Sequence, residues 1–184
     1  MSKELLFLVL ILVIGFWLVV IFNRVIKNRN RVEAAWSDID VQLTRRYDLV
    51  PQLVAAVKQY ASYEKATLEA VATLRQEAQG IVKREQKGEV ESRLGAGLTR
   101  LIALAESYPD LKASENFLHL QKELVEVEDF LQNARRYYNG SVREFNTFAE
   151  SFPNNLLVNL LRIHQYEFFE MDDSYKDREL PTYA

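Results

Sequence analysis

Residues Leu5–Phe22 read LLFLVLILVIGFWLVVIF, 18 positions in a row without a charged or polar side chain. Wound as an α-helix at 1.5 Å per residue, the stretch is about 27 Å long, close to the ~30 Å hydrocarbon layer of a bilayer. Inside hydrocarbon a backbone must satisfy its own hydrogen bonds, so the segment is expected to be helical. Trp17 and Phe22 lie toward its far end, where aromatic rings favour the membrane–water interface. A cleaved signal peptide is a competing reading. It would have a shorter apolar stretch and a small-x-small cleavage site, and Asn23-Arg24-Val25-Ile26-Lys27 offers none. A buried core helix is the third reading. The sequence favours an uncleaved transmembrane anchor.

Charge falls unevenly about this segment. Arg24, Lys27, Arg29 and Arg31 follow it with no acid among them, whereas Lys3 precedes it beside Glu4. The positive-inside rule then places the N-terminus outside and the C-terminal body in the cytoplasm. The same four cations are candidate contacts for anionic lipid, at about 1 kcal/mol each; the plainer reading is a topology signal. The whole chain carries −3, but from Val32 onward 18 Lys and Arg stand against 25 Asp and Glu, a balance of −7. An acidic body argues against nucleic-acid binding, which needs a basic face to release counterions from phosphates. With no Cys, the chain has no disulfide, thiolate nucleophile, Cys-ligated zinc or acylated cysteine anchor.

The 184 residues include only six Gly and four Pro, few breakers for this length, which favours long helices. Val32, Trp36, Ile39, Leu43, Val50, Leu53, Val57 and Tyr60 step by three, four or seven. That is one apolar face with the near-3.5 period of coiled-coil packing. Pro51 interrupts the run with Asp48 three residues before it, and because the stripe keeps its phase a kinked long helix is expected rather than a new one. A second helix is expected over about 63–79 with Gly80 as its stop. The charged stretch Ile81 to Glu91 reads as a loop or frayed helix, and a third helix as about 92–107. Tyr108-Pro109-Asp110 reads as a connection. Phe117, Leu120, Leu124, Val127, Leu131, Ala134 and Tyr138 step 3-4-3-4-3-4, and Phe145 and Phe148 carry the stripe to about residue 150. Asn154 or Asn155 is placed to cap a short fifth helix over 156–164.

Amphipathic helices of this length bury their stripes against one another. The expected class is all-α: an N-terminal transmembrane helix, then an antiparallel four-helix bundle with a short C-terminal helix. The expected divisions are 1–23 for tail and span, 24–31 for the basic juxtamembrane segment, 32–170 for the bundle, and 171–184 for an acidic flexible tail. The first bundle helix is expected to continue directly from the anchor.

Several runs form a specific combination. They are RVEAAWSDIDVQLTRRYDLVPQLVAAVKQYASY at 31–63, YPDLKA at 108–113, NFLHLQKELVEVED at 116–129 and ARRYYNGSVREFN at 134–146. Ser151-Phe152-Pro153 and Phe168-Phe169-Glu170 complete the set. Together they resemble the LemA family of bacterial membrane proteins, from the anchor to about residue 172. The resemblance implies a short N-terminal tail, one transmembrane helix, a cytoplasmic or periplasmic helical bundle and a bacterial cell membrane. It brings no settled activity and no catalytic or cofactor residues.

Candidate sites have bland alternatives. His119 has Glu123 one turn on, and His164 has Glu167 and Glu170 near it, but two distant histidines without a His-Glu-x-x-His motif fall short of a metal site. Asp38, Asp40, Arg45, Arg46 and Asp48, with Tyr47 and Trp36, form a dense polar patch. It is either a partner-recognition surface or network, or simple ion pairing with Tyr47 anchored in the bundle wall; ion pairing is favoured. Arg135 and Arg136 next to Tyr137 and Tyr138 could hold a phosphate or carboxylate; the favoured reading has Tyr138 packed inward and the arginines paired with acids at 126–129 or on a neighbouring helix. Trp36, Phe117, Phe130 and Phe145 are expected in the core. Asn139-Gly140-Ser141 matches a glycosylation sequon but sits within a helix. There is no Gly-rich phosphate loop, no Gly-x-Ser-x-Gly and no singled-out carboxylate pair.

The expected role is therefore non-enzymatic: a membrane-tethered scaffold or adaptor, held in the bilayer through Leu5–Phe22, with a protein partner or homo-oligomer. No catalytic residue, cofactor, metal, nucleic acid or small-molecule substrate is expected. A lipid-binding or membrane-organising protein is the alternative. A ligand sensor or enzyme with a site between helices is the third.

Overall fold

The computed structural model describes residues 3–171. Its elements are α1 (Lys3–Tyr60), α2 (Lys65–Gly80), α3 (Arg84–Ala105), α4 (Pro109–Lys112), α5 (Glu115–Glu150) and α6 (Asn154–Leu160). Among the described residues there is no strand. The all-helical class and the long apolar N-terminal helix expected from sequence are present. The acidic tail, apart from Met171, lies outside the described residues.

The apolar segment and the first amphipathic stripe form one helix, with Pro51 inside it. Residues 5–16 and 18–20 of that helix are exposed although all of them but Gly15 are large and apolar. Burial begins at Ile21 and recurs at Val25, Asn28, Val32 and Ala35, the 4-3-4-3 rhythm of a helix face.

The chain divides into two compact units. The first comprises 1–38 and 136–168. Here the buried face of α1 is matched by Tyr138, Val142, Phe145 and Ala149 of α5 and Val158 of α6. Trp36 meets Tyr138 edge-on with centroids 5.4 Å apart, Arg31 pairs with Glu144, and the Arg24 guanidinium lies 5.3 Å from the Phe148 ring centre. Rising numbers on α1 thus meet falling numbers on α5, so these two segments run antiparallel. Beyond α6 and its closing turn, the chain over 163–171 has no regular secondary structure. The Asn146 amide holds it by donating to the Tyr166 carbonyl (2.9 Å) and accepting from the Tyr166 N–H (3.1 Å). Phe145 packs edge-on against the Tyr166 ring, whose hydroxyl donates to Glu33 at 3.0 Å.

The second unit comprises, of the described residues, 39–135 and 169–171. It gathers the rest of α1, all of α2, α3 and α4, and the first part of α5. Ile39, Leu43, Leu53 and Val57 of α1, Leu94 and Leu101 of α3, Leu111 of α4, and Val127 and Leu131 of α5 are all sealed from solvent.

Four local expectations need correction. The charged stretch 81–91, expected as a loop or frayed helix, is a loop only over 81–83: α3 begins at Arg84, and Gly88, Val90 and Glu91 are buried. Arg84, Glu85, Gln86, Lys87 and Glu89 are strong helix formers, and their charge masked that propensity. Tyr108-Pro109-Asp110 is not a plain connection, because Pro109 opens the one-turn α4, as its fixed φ allows at a first helical position. The last helix ends at Leu160 rather than His164. Arg162 takes a left-handed φ of 51°, and the Ile163 N–H reaches back to the Val158 carbonyl at 3.1 Å, which closes the helix in a Schellman-type turn. Its N-cap is Pro153 without a side-chain cap; Asn154 donates instead to the Phe148 carbonyl at 3.2 Å.

Candidate functional site

The polar centre of the second unit grows from a fault in the α1 stripe. Buried positions run Ile39, Leu43, Arg46, Val50, Leu53 and Val57, so the 4-3-4-3 rhythm carries an arginine at a core position. Glu91 likewise sits three residues before Leu94 on the buried face of α3. Both side chains have no exposed surface. Arg46 Nη1 donates to Glu91 Oε2 at 3.1 Å and to the Glu91 carbonyl at 3.3 Å. Arg46 Nε lies 2.9 Å from Glu128 Oε1 on α5. The Tyr47 hydroxyl donates to Glu91 Oε1. One guanidinium thus joins α1, α3 and α5.

A second device sits beside it. Pro51 has no N–H to offer the Tyr47 carbonyl four residues back. Arg75 of α2 supplies the missing donor, its Nε reaching that oxygen at 2.6 Å. The proline therefore leaves α1 unbroken and ties it to α2.

Electrostatics follow from burial. Loss of water pushes the Glu91 carboxyl above its ordinary value; Arg46, the Tyr47 hydrogen bond and Lys87 pull it part of the way back. Burial first, and then the Glu91 charge, push the Tyr47 hydroxyl far above its ordinary value. Tyr47 accordingly stays protonated and acts as a donor. Buried charge pairs cost several kcal/mol per ion in lost hydration, which offsets much of the attraction within such a cluster.

The sequence-derived patch is divided by the structure. Arg46 is buried, whereas Asp38, Asp40, Arg45 and Asp48 are exposed; Asp38 belongs to the first unit and the other four to the second. Asp40 faces Lys87 at 3.5 Å. Tyr47 and Tyr138 are buried, as expected of wall and core residues, and Phe117 and Phe145 are in the core. Phe130 is not: it is 47% exposed, with the Arg45 guanidinium 6.0 Å from its ring centre. Arg135 donates to the Met171 carbonyl at 3.5 Å. His119 is exposed near Glu123 at 3.6 Å, and His164 is exposed. In the first unit Arg24, Lys27 and Arg29 are exposed and Arg31 is half-buried against Glu144.

The sequence reading missed Arg46–Glu91 as a pair, along with Arg75 and Glu128. The signal was present as a seven-residue step from Leu43 to Val50, which leaves one stripe position to a charged residue.

The model of the LemA family matches residues 35–182, a range that starts beyond the apolar segment and includes the whole Arg46 cluster. The chain belongs to the LemA family. The protein LemA of Metamycoplasma hominis is 25% identical over 152 residues, covering 82% of this chain and 69% of that one. Magnetosome protein MamQ of Magnetospirillum gryphiswaldense is 22% identical over 174 residues, covering 80% of this chain and 64% of its own. A MamQ of Paramagnetospirillum magneticum is 22% identical over 175 residues, with 81% and 64% covered. The chain thus matches about two thirds of the length of these relatives. In this LemA-family chain the Trp36-Ser37-Asp38-Ile39-Asp40 and Arg45-Arg46-Tyr47-Asp48-Leu49-Val50-Pro51 runs are both helical, and the second supplies the core arginine, its tyrosine partner and the proline.

Proposed function

We propose that this LemA-family chain is a single-pass membrane protein whose helical body serves as a non-catalytic scaffold or adaptor. One observation carries the membrane reading. Leu5–Val20 leaves nearly every large apolar side chain exposed on a helix whose buried face begins only at Ile21 and Val25. A helix of 18 or more residues passing through a soluble core would be covered; this one finds its complement in hydrocarbon. Its most apolar 18-residue window has a mean hydropathy of 3.3 with 6% of its residues buried.

The finer reading places the N-terminus outside and the helical body in the cytoplasm of a bacterial inner membrane, from the excess of Arg24, Lys27, Arg29 and Arg31 over Lys3. The body is proposed as an antiparallel four-helix bundle with α6 appended. A scaffold role is favoured by long helical faces of the kind that take partner helices or a second copy. In-membrane crosslinking of the full chain tests it. Recovery of defined neighbours or of a homo-oligomer supports the scaffold, and recovery of the monomer alone from solubilised membranes contradicts it.

A lipid-organising role is the second reading, favoured by the exposure of Arg24, Lys27 and Arg29 directly after the apolar segment. Changing Arg24, Lys27, Arg29 and Arg31 to Gln and finding liposome binding unaltered would remove it.

A further inference from the structure

Within the first unit, α6 and the turn before it present an apolar face to solvent. Phe152 is 79% exposed, Leu160 78%, and Leu156 and Leu161 are also open. Within α6 the step of four puts Leu156 and Leu160 on one side, opposite the buried Val158, and Phe152 and Leu161 flank the helix at its two ends. The segment therefore packs by one face and, among the described residues, leaves its other apolar side chains exposed.

Its location along α1 is fixed by side chains. A groove of about 650 Å³ is lined by Arg24, Asn28, Arg143, Thr147, Ser151 and Asn154. Ser151 and Asn154 bracket the entry to α6, and Arg24 stacks over Phe148. Arg24 and Asn28 stand about 3 and 9 Å beyond Phe22 along the helix axis. If Leu5–Phe22 fills the hydrocarbon layer, that level is the headgroup layer, about 5–8 Å deep on each side. Of the charged groups that line the groove, Glu144 is paired with Arg31, and Arg24 and Arg143 supply positive charge, which suits lipid phosphates.

We propose that the exposed face of 152–161 is a second membrane-binding element, inserted into the headgroup–acyl boundary of the same bilayer that holds the span. The occupant of this face is lipid: it continues an apolar surface that already needs lipid, it lies at interfacial depth, and cations flank it. This is the geometry of an interfacial amphipathic segment. Such an element fixes the rotation of α1 about its own axis, since only one face of the helix has α6 beside it. The inference rests on the transmembrane reading of Leu5–Phe22.

The chain has no native cysteine, so single-cysteine probes are unambiguous. Phe152→Cys, Leu160→Cys, Leu12→Cys and Tyr137→Cys are each labelled with an environment-sensitive fluorophore in the full chain. Each is then reconstituted into phosphatidylcholine–phosphatidylglycerol vesicles carrying nitroxide lipids. Tyr137, exposed on α5 and about 16 Å of helix away from Phe148, is the reference. Shallow nitroxide quenching both α6 probes about twofold or more above Tyr137 supports the proposal. Two results overturn it alone: α6 probes quenched no more than Tyr137 while deep nitroxide quenches Leu12, or α6 probes shielded from aqueous iodide yet untouched by nitroxide lipid, which signifies a protein occupant. An unquenched Leu12 probe overturns the span and this element together.

Discussion

Replacing Arg46 with Leu removes a cation that two carboxylates share and leaves the rest of the core in place. In the variant Glu91 has no exposed surface and no counter-ion in the cluster other than Lys87, and Glu128 loses its contact with Arg46. Removing one member of a buried pair costs about 3–5 kcal/mol, most of it the cost of holding the remaining charge away from water. For a domain of this size each kcal/mol moves Tm by about 2–4 °C, so a fall of roughly 6–20 °C is expected. Scanning calorimetry or intrinsic fluorescence on the full chain in detergent micelles reads it at neutral pH. The double variant Arg46→Leu, Glu91→Leu should recover about half or more of the loss, because it replaces an uncompensated charge with apolar volume. A single variant within about 2 °C of the parent, or a double variant that loses the sum of both singles, would refute the assignment of Arg46 as the shared buried cation.

Glu91 also sets a pH dependence. Its folded carboxyl is raised from the unfolded value of 4.5, so the folded state holds the proton more tightly. Its contribution is fully present below pH 4.5 and is lost as pH rises toward the folded value; Glu91→Gln should flatten that part of the stability curve. Arg75→Met should cost about 1–3 kcal/mol by orphaning the Tyr47 carbonyl, and most of that loss should vanish in a Pro51→Ala background, where the backbone regains its own donor. Gly88→Ala should cost about 1–3 kcal/mol and speed proteolysis near residue 170, because a Cβ there would overlap the Glu170 carbonyl. Tyr138→Phe should cost about 1 kcal/mol through loss of the bond from its hydroxyl to the Glu167 carbonyl at 3.1 Å, without disturbing the core.

The helical class and the two long stripes were legible because burial repeats every three or four residues over many turns. The α5 stripe in particular read almost to its observed ends. Pattern reasoning failed where charge and burial coincide. Arg46 and Glu91 keep the phase of their stripes while breaking the apolar rule, and each makes sense only once the other is placed opposite it. Residues 84–89 looked solvated because they are charged, although Gly88 among them lies against the Glu170 backbone. Phe130 was counted with the apolar stripe, yet the 127–131 spacing already gives that face to Val127 and Leu131. Arg75 carried no local signal at all, since its task is set by a carbonyl 28 residues earlier.

Alkaline carbonate extraction of membranes from cells expressing the full chain, followed by mass measurement of the recovered protein, puts the anchor at risk most directly. Residues 1–184 should stay with the sedimented bilayer at full mass. Intact protein in the supernatant, or a product trimmed after the apolar stretch, would show that nothing tethers the helical body to lipid.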